Sequence, residues 1–141
     1  MDTFSESDFD IKKSLILPVN SKRELFVQDR RGHKKPDWGY FGGGIEPGET
    51  PLEAVIRESK EELCINLKES DLVPLGISTT SWDDVKMLRY LYLYRTDQVE
   101  FDVREGKGGL WLTFDEARER MDGRDLLDDV VARINRALDA A

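Results

Sequence analysis

Gly43-Gly44-Ile45-Glu46-Pro47-Gly48-Glu49, followed by Arg57-Glu58-Ser59-Lys60-Glu61-Glu62, sets clustered carboxylates behind a glycine-rich loop. Between the two runs, Thr50 is a good N-cap, Pro51 suits the first helical position and Glu53 completes a Thr-x-x-Glu capping box. A helix is expected from there to about Leu63. At about 3.6 residues per turn, Glu58 and Glu62 fall about 40° apart on one flank. Two like charges that close repel unless a divalent cation sits between them or one takes up a proton. Leu52, Val55, Ile56, Ser59 and Leu63 make the stripe that buries this helix; Glu62 borders it, while Glu61 and Arg57 lie on the far side. Glu61 and Glu62 near the C-terminus work against the helix dipole, which favours a functional reason for them. By charge alone the face reads as a solubilising one, with Arg57 and Lys60 as salt-bridge partners.

The segment Gly43 to Ile65 resembles the Nudix box, G-x5-E-x7-R-E-U-x-E-E-x-G-U with U a bulky apolar residue, the signature of hydrolases that cleave nucleoside diphosphates linked to another moiety. Gly43, Glu49, Arg57, Glu58, Glu61, Glu62 and Ile65 match at the required spacing. Ser59 stands where an apolar residue is usual and Cys64 replaces the final glycine, departures that touch packing and loop geometry rather than carboxylates. Trp38-Gly39-Tyr40-Phe41-Gly42-Gly43 is similar to the family's W-x-φ-P-G-G approach to the box, with Phe41 in place of proline. With this spacing the carboxylates read as a metal site, Glu58 and Glu62 first and Glu61 with them. Carboxylate oxygens suit a hard cation such as Mg²⁺, with Mn²⁺ able to substitute. The family analogy adds a backbone carbonyl of Gly42 or Gly43. Glu58 or Glu61 would deprotonate the attacking water, and the spacing does not separate them. Arg57 is expected to organise the site by holding Glu49 or Glu61 in its fork.

Arg104-Glu105-Gly106-Lys107-Gly108-Gly109-Leu110-Trp111 resembles the E-G-x4-W segment of MutT-like members, which implies Glu105 as a further ligand or alternative base. A solvated glutamate in a glycine-rich loop is the plain alternative. Arg30-Arg31-Gly32-His33-Lys34-Lys35 concentrates positive charge in an acidic chain, and Arg30, Arg31 and Lys34 are the expected phosphate binders. Trp82, among polar residues, is the candidate for stacking on a base; Trp38 is assigned to packing. Cys64 is expected to be a small packed residue at the helix end.

The net charge of −8 and pI near 4.7 argue against broad affinity for nucleic acid. No apolar run is long enough to cross a membrane, the first residues lack the pattern of a signal peptide, and a single cysteine fits a reducing compartment, so a cytoplasmic location is expected. A chain of 141 residues suits one domain over 11–141 behind a loose tail at 1–10.

Strands are expected at Ser14–Val19 and Glu24–Gln28, joined as a hairpin by Asn20–Arg23, and at Leu72–Ser78, Met87–Arg95 and Leu110–Leu112. The three glycines are expected to bend the chain after Tyr40-Phe41, and Thr79–Asp84 to form a polar loop. A helix beginning at Thr113–Glu116 stops near Gly123, and Leu127, Val130, Val131, Ile134 and Leu138 recur at helical spacing. Strands interleaved with helices give an α/β fold, a mixed sheet between helices, which is also the Nudix α/β/α sandwich. The reading is a divalent-metal-dependent hydrolase acting on a nucleotide or nucleotide sugar, with a homodimer left open. A non-catalytic Nudix-like nucleotide sensor is the rival, and the full set of box carboxylates counts against it.

Overall fold

Ser14 to Val19 are buried without alternation, the pattern of a strand covered on both faces, and they lie in the central strand of the sheet, β1 (Ile11–Val19). The computed structural model describes residues 5–33, 35–104 and 107–140. Asn20–Arg23 turns β1 back on β2 (Glu24–Asp29), with Val19 opposite Leu25. There follow β3 (Trp38–Gly39), β4 (Phe41–Gly44), helix α1 (Pro51–Leu63), β5 (Leu72–Trp82), β6 (Val85–Arg95), β7 (Gly109–Thr113), α2 (Phe114–Arg120) and α3 (Arg124–Asp139). The sheet order is β3-β2-β1-β6-β5, with β4 added on β1 and β7 on β2. Among the described residues only β1 and β6 run parallel, in register from Ile11 opposite Met87 to Val19 opposite Arg95, so the sheet is mixed.

Alternation along the central strands sorts two cores. Leu15, Leu17 and Val19 join Leu91 and Leu93 beneath α3, whose Leu127, Val130 and Ile134 are fully buried. Ile16, Phe26, Phe41 and Tyr92 face the other way and pack with Val55 and Leu63 of α1. The α/β/α sandwich is therefore present, with α1 on one face and α2 and α3 on the other.

Two expectations about loops are corrected. The glycine run is a strand: Gly42, Gly43 and Gly44 pair with Leu15, Ser14 and Lys13, because backbone hydrogen bonds need no side chains and α1 covers the face that results. The polar stretch Thr79–Asp84 is not a loop either. β5 continues to Trp82, paired with Val85, and only Asp83 and Asp84 turn, with φ of 47° and 64°, the geometry of a tight primed hairpin turn. Of the expected tail, residues 1–4 lie outside the described ones; Glu6–Asp8 form a 3-10 turn, and Asp10 bonds Lys86 through both backbone and side chain.

Candidate functional site

Helix α1 begins where its sequence dictates. Thr50 Oγ1 accepts the Glu53 N–H at 3.1 Å, and Glu53 Oε1 accepts the Thr50 N–H at 2.9 Å. Ser14 of β1 donates to the Pro51 carbonyl at 2.7 Å, fixing the helix start against the central strand. Ser59, where an apolar residue is usual, is buried and returns its hydroxyl to Val55 O at 2.6 Å, so the polar atom costs the core nothing unpaired.

The far flank of α1 is organised by Arg57. Its Nε and Nη2 grip Glu49 at 2.7 and 3.0 Å, Nη1 reaches Glu58 at 2.9 Å and Glu61 at 3.2 Å, and Nη2 also donates to Gly44 O at 2.9 Å. The expected fork on Glu49 is thus present, and Glu61 is held more loosely. The Arg57 guanidinium holds the Glu49 carboxyl below its usual range, helped by the Glu46 N–H; in return Glu49 raises the pKa of Arg57.

Glu58 and Glu62 both reach β4. The Glu58 carboxylate lies so close over Gly43 that a Cβ there would sit 2.7 Å from Oε1. Glu62 accepts the Gly42 N–H at 2.9 Å. Glu61 is 57% exposed and lies outside this pair. Hard oxygen donors beside a glycine strand fit a divalent cation in their chemistry. As the side chains stand, no three His, Cys, Asp or Glu among the described residues converge to hold one. The reason is that Glu58 and Glu61 are turned to Arg57, and Glu62 to the Gly42 amide. Glu105 and Lys34 lie outside the described residues.

Cys64 corrects the expectation of a packed residue. It is exposed and caps the helix at φ 55° and ψ 37°, the left-handed conformation usual for glycine, while its Sγ accepts from Arg104 Nε at 3.0 Å. Relief of that conformation outweighs the exposed hydrogen bond and the freedom glycine adds to the unfolded chain. Cys64→Gly is therefore expected to stabilise by roughly 0.5 kcal/mol in urea unfolding. A clear loss of stability would show that the sulfur contact matters more than the backbone.

The basic loop divides. Arg31 is spoken for by Asp29, at 3.0 and 2.9 Å, and lies 4.7 Å over the Trp38 ring; Lys35 pairs with Asp37 at 2.7 Å. Arg30 instead lines a cleft of about 290 Å³ on the sheet face opposite α1. Lys13, Trp38, Tyr40, Arg89 and Asp122 line it too. Trp38 also packs in the core, as expected. Trp82 is not in that lining: it ends β5 beside the hairpin turn, 45% exposed. Lys13, Tyr40 and Arg89 were not among the residues expected here. A signal for two of them exists, since Lys13 and Arg89 interrupt otherwise apolar faces of β1 and β6.

Residues 13–133 match the family model described as "NUDIX domain". A nucleoside triphosphatase NudI from Salmonella arizonae is 42% identical over 83 residues, and the match spans 56% of this chain and 56% of that protein's length. The chain thus spans little more than half the length of this relative. Among solved structures, the MutT protein of Methanosarcina mazei superposes with a TM-score of 0.69 at 20% identity, covering 89% of this chain and 94% of that one. The E. coli dihydroneopterin triphosphate pyrophosphohydrolase gives 0.69 at 18%, covering 86% and 94%. At these identities the structures bear on the fold.

Proposed function

This chain belongs to the Nudix family, and from that membership we propose that it is a pyrophosphohydrolase of nucleoside triphosphates or their derivatives. The observation that carries the reading is the seating of Glu58 over Gly43 and of Glu62 on the Gly42 amide, with Arg57 bracing Glu49 beside them. Nudix enzymes generally use divalent cations; here Mg²⁺, or Mn²⁺ in its place, would be held by Glu58 and Glu62, with Glu61 and the Gly42 or Gly43 carbonyl completing the set. When bound, the cation offsets charge on the phosphate oxygens and makes water a better nucleophile. The water oxygen bonds to phosphorus, the bridging P–O bond breaks, and the released proton passes to Glu58 or Glu61. The cleft holding Lys13, Arg30 and Arg89 would take the nucleoside end, so that the substrate reaches around β4 from one face of the sheet to the other.

A panel of nucleoside triphosphates and nucleotide sugars, assayed with Mg²⁺ and with Mn²⁺, tests this. Metal-dependent cleavage of a diphosphate linkage is expected; its absence across the panel would overturn the reading. Crowded carboxylates bind a cation in the native state only, so saturating Mg²⁺ or Mn²⁺ is expected to raise Tm by about 5 °C. The rise should vanish in the Glu58→Gln, Glu62→Gln double variant, and an equal rise there would exclude this site.

Glu105 belongs to the same proposal as a further ligand or alternative base. Arg104, which precedes it, donates its backbone N–H to Glu62 O at 3.0 Å. Glu105→Gln is expected to cut kcat about tenfold or more while Tm holds. Unchanged turnover and metal dependence would return Glu105 to the solvent.

A further inference from the structure

The cleft opposite α1 gathers polar groups from several elements of the fold. The Tyr40 hydroxyl and Arg30 Nε are buried and have no hydrogen-bond partner among the described residues. Arg89 lies half-buried beside them, close enough for its charge to act on Tyr40, and spends one nitrogen on Thr80 Oγ1 at 3.0 Å. Lys13 adds an ammonium to the lining, and its one carboxylate, Asp122, is exposed. A buried donor left unmade costs about 1–3 kcal/mol, so each such atom in a native cleft calls for an explanation.

A ligand with acceptors supplies it. Tyrosine can donate or accept, but guanidinium and ammonium groups only donate, so Arg30, Arg89 and Lys13 set the polarity of the site. A ring carbonyl oxygen facing Tyr40 and Arg89 accepts from both; an exocyclic amino group in that place can donate to the Tyr40 hydroxyl but confronts Arg89 with another donor. We propose that Tyr40 and Arg89 are specificity-determining residues that read a nucleobase carbonyl, making the chain select keto bases over their amino counterparts. The proposal rests on the nucleotide reading of the site given above.

Two nearly isosteric pairs exchange the ring carbonyl for an amino group, and with it the adjacent ring N–H for a bare nitrogen: ITP against ATP, and UTP against CTP. In the wild type kcat/KM is expected to favour the keto member of each pair by about tenfold or more, the scale on which a site built for a polar group rejects its mismatch. Tyr40→Phe and Arg89→Gln should each bring the keto-to-amino ratio several-fold closer to one, mainly through KM. Tyr40→Phe removes a hydroxyl with no partner, so the ligand-free variant should unfold at the wild-type temperature or above it. Binding of IMP against AMP, read by thermal shift without added metal, gives the same comparison independently of catalysis.

Equal kcat/KM within both pairs, or a wild-type ratio preserved in both variants, would overturn the proposal. If neither a triphosphate nor a nucleotide sugar is hydrolysed yet IMP binds more tightly than AMP and Tyr40→Phe abolishes the difference, the hydrolase reading falls and this one stands. If nothing in that panel is hydrolysed and IMP and AMP bind alike, both fall.

Discussion

Gly43→Ala is expected to reduce kcat about 100-fold or more while leaving Tm nearly unchanged, and Gly42→Ala to do the reverse to the fold. The two glycines are adjacent, yet a methyl group meets different things at each. At Gly43 it would lie within 2.9 Å of both oxygens of the Glu58 carboxylate, the far end of a flexible side chain that swings aside at the loss of its contact with Arg57. Swinging aside removes the carboxylate from its position, and a misplacement of about 1 Å costs on the order of 100-fold in rate. At Gly42 the methyl group would run into the Ser14 carbonyl and approach Leu15 Cα to 2.8 Å, at φ +128°. The backbone of the central strand cannot yield, so a loss of about 3 kcal/mol or more is expected from urea unfolding. Comparable stability losses in the two variants would show that Gly43 serves packing rather than the seating of Glu58.

Arg57→Ala is the second large effect, with a loss of about 100-fold in kcat/KM and a lowered Tm. Removing the guanidinium leaves Glu49, Glu58 and Glu61 without their shared cation and frees the glycine strand at Gly44. Arg57→Lys should recover only part of either quantity, because an ammonium keeps the charge and lacks the fork that grips Glu49. The pH dependence carries a separate signature. The folded pKa of Glu49 is depressed by Arg57, so its contribution to stability is complete above the unfolded carboxylate value of about 4.3 and is lost as pH falls through the folded value. Wild type should therefore lose stability more steeply than Arg57→Ala as pH falls below about 4.3. Parallel acid limbs in the two proteins would assign the tight Arg57–Glu49 geometry no energetic part.

What was legible in the chain was whatever repeats locally. The Thr50 capping box, the helix start at Thr113–Glu116, the buried stripe of α1, the Val19–Leu25 hairpin and the helical spacing of Leu127 to Leu138 each involve residues a few positions apart, and the structure carries all of them. The glycine run reads as a bend because strand propensity is a property of side chains, whereas in the structure pairing with Ser14 and its neighbours supplies what side chains would. Asp83-Asp84 reads as part of a loop because neither residue favours positive φ as glycine does. The cleft escaped because Lys13 and Arg89 stand on separate strands and Tyr40 on the residue before β4, and the register of β1 with β4 and β6 brings them together. The neutralised half of the basic loop needed no structure in principle, since Asp29 and Asp37 stand two residues from Arg31 and Lys35.

The parallel pairing of β1 with β6 bears on the order of assembly. β1 meets β4 and the start of α1 within about the first third of the chain, so the carboxylate-bearing unit closes through short loops. Its other edge waits for residues 87–95. Closing a long loop costs entropy before any contact repays it, which makes such pairings slow to form. During synthesis the helix and its glycine strand are therefore available while the central strand still exposes an unpaired edge, and the refolding rate, measured by stopped-flow, should respond more to substitutions along β6 than to equally destabilising ones in α1. Until Met87 to Arg95 arrive, the element on which every other strand depends is the one open to pairing with the wrong partner.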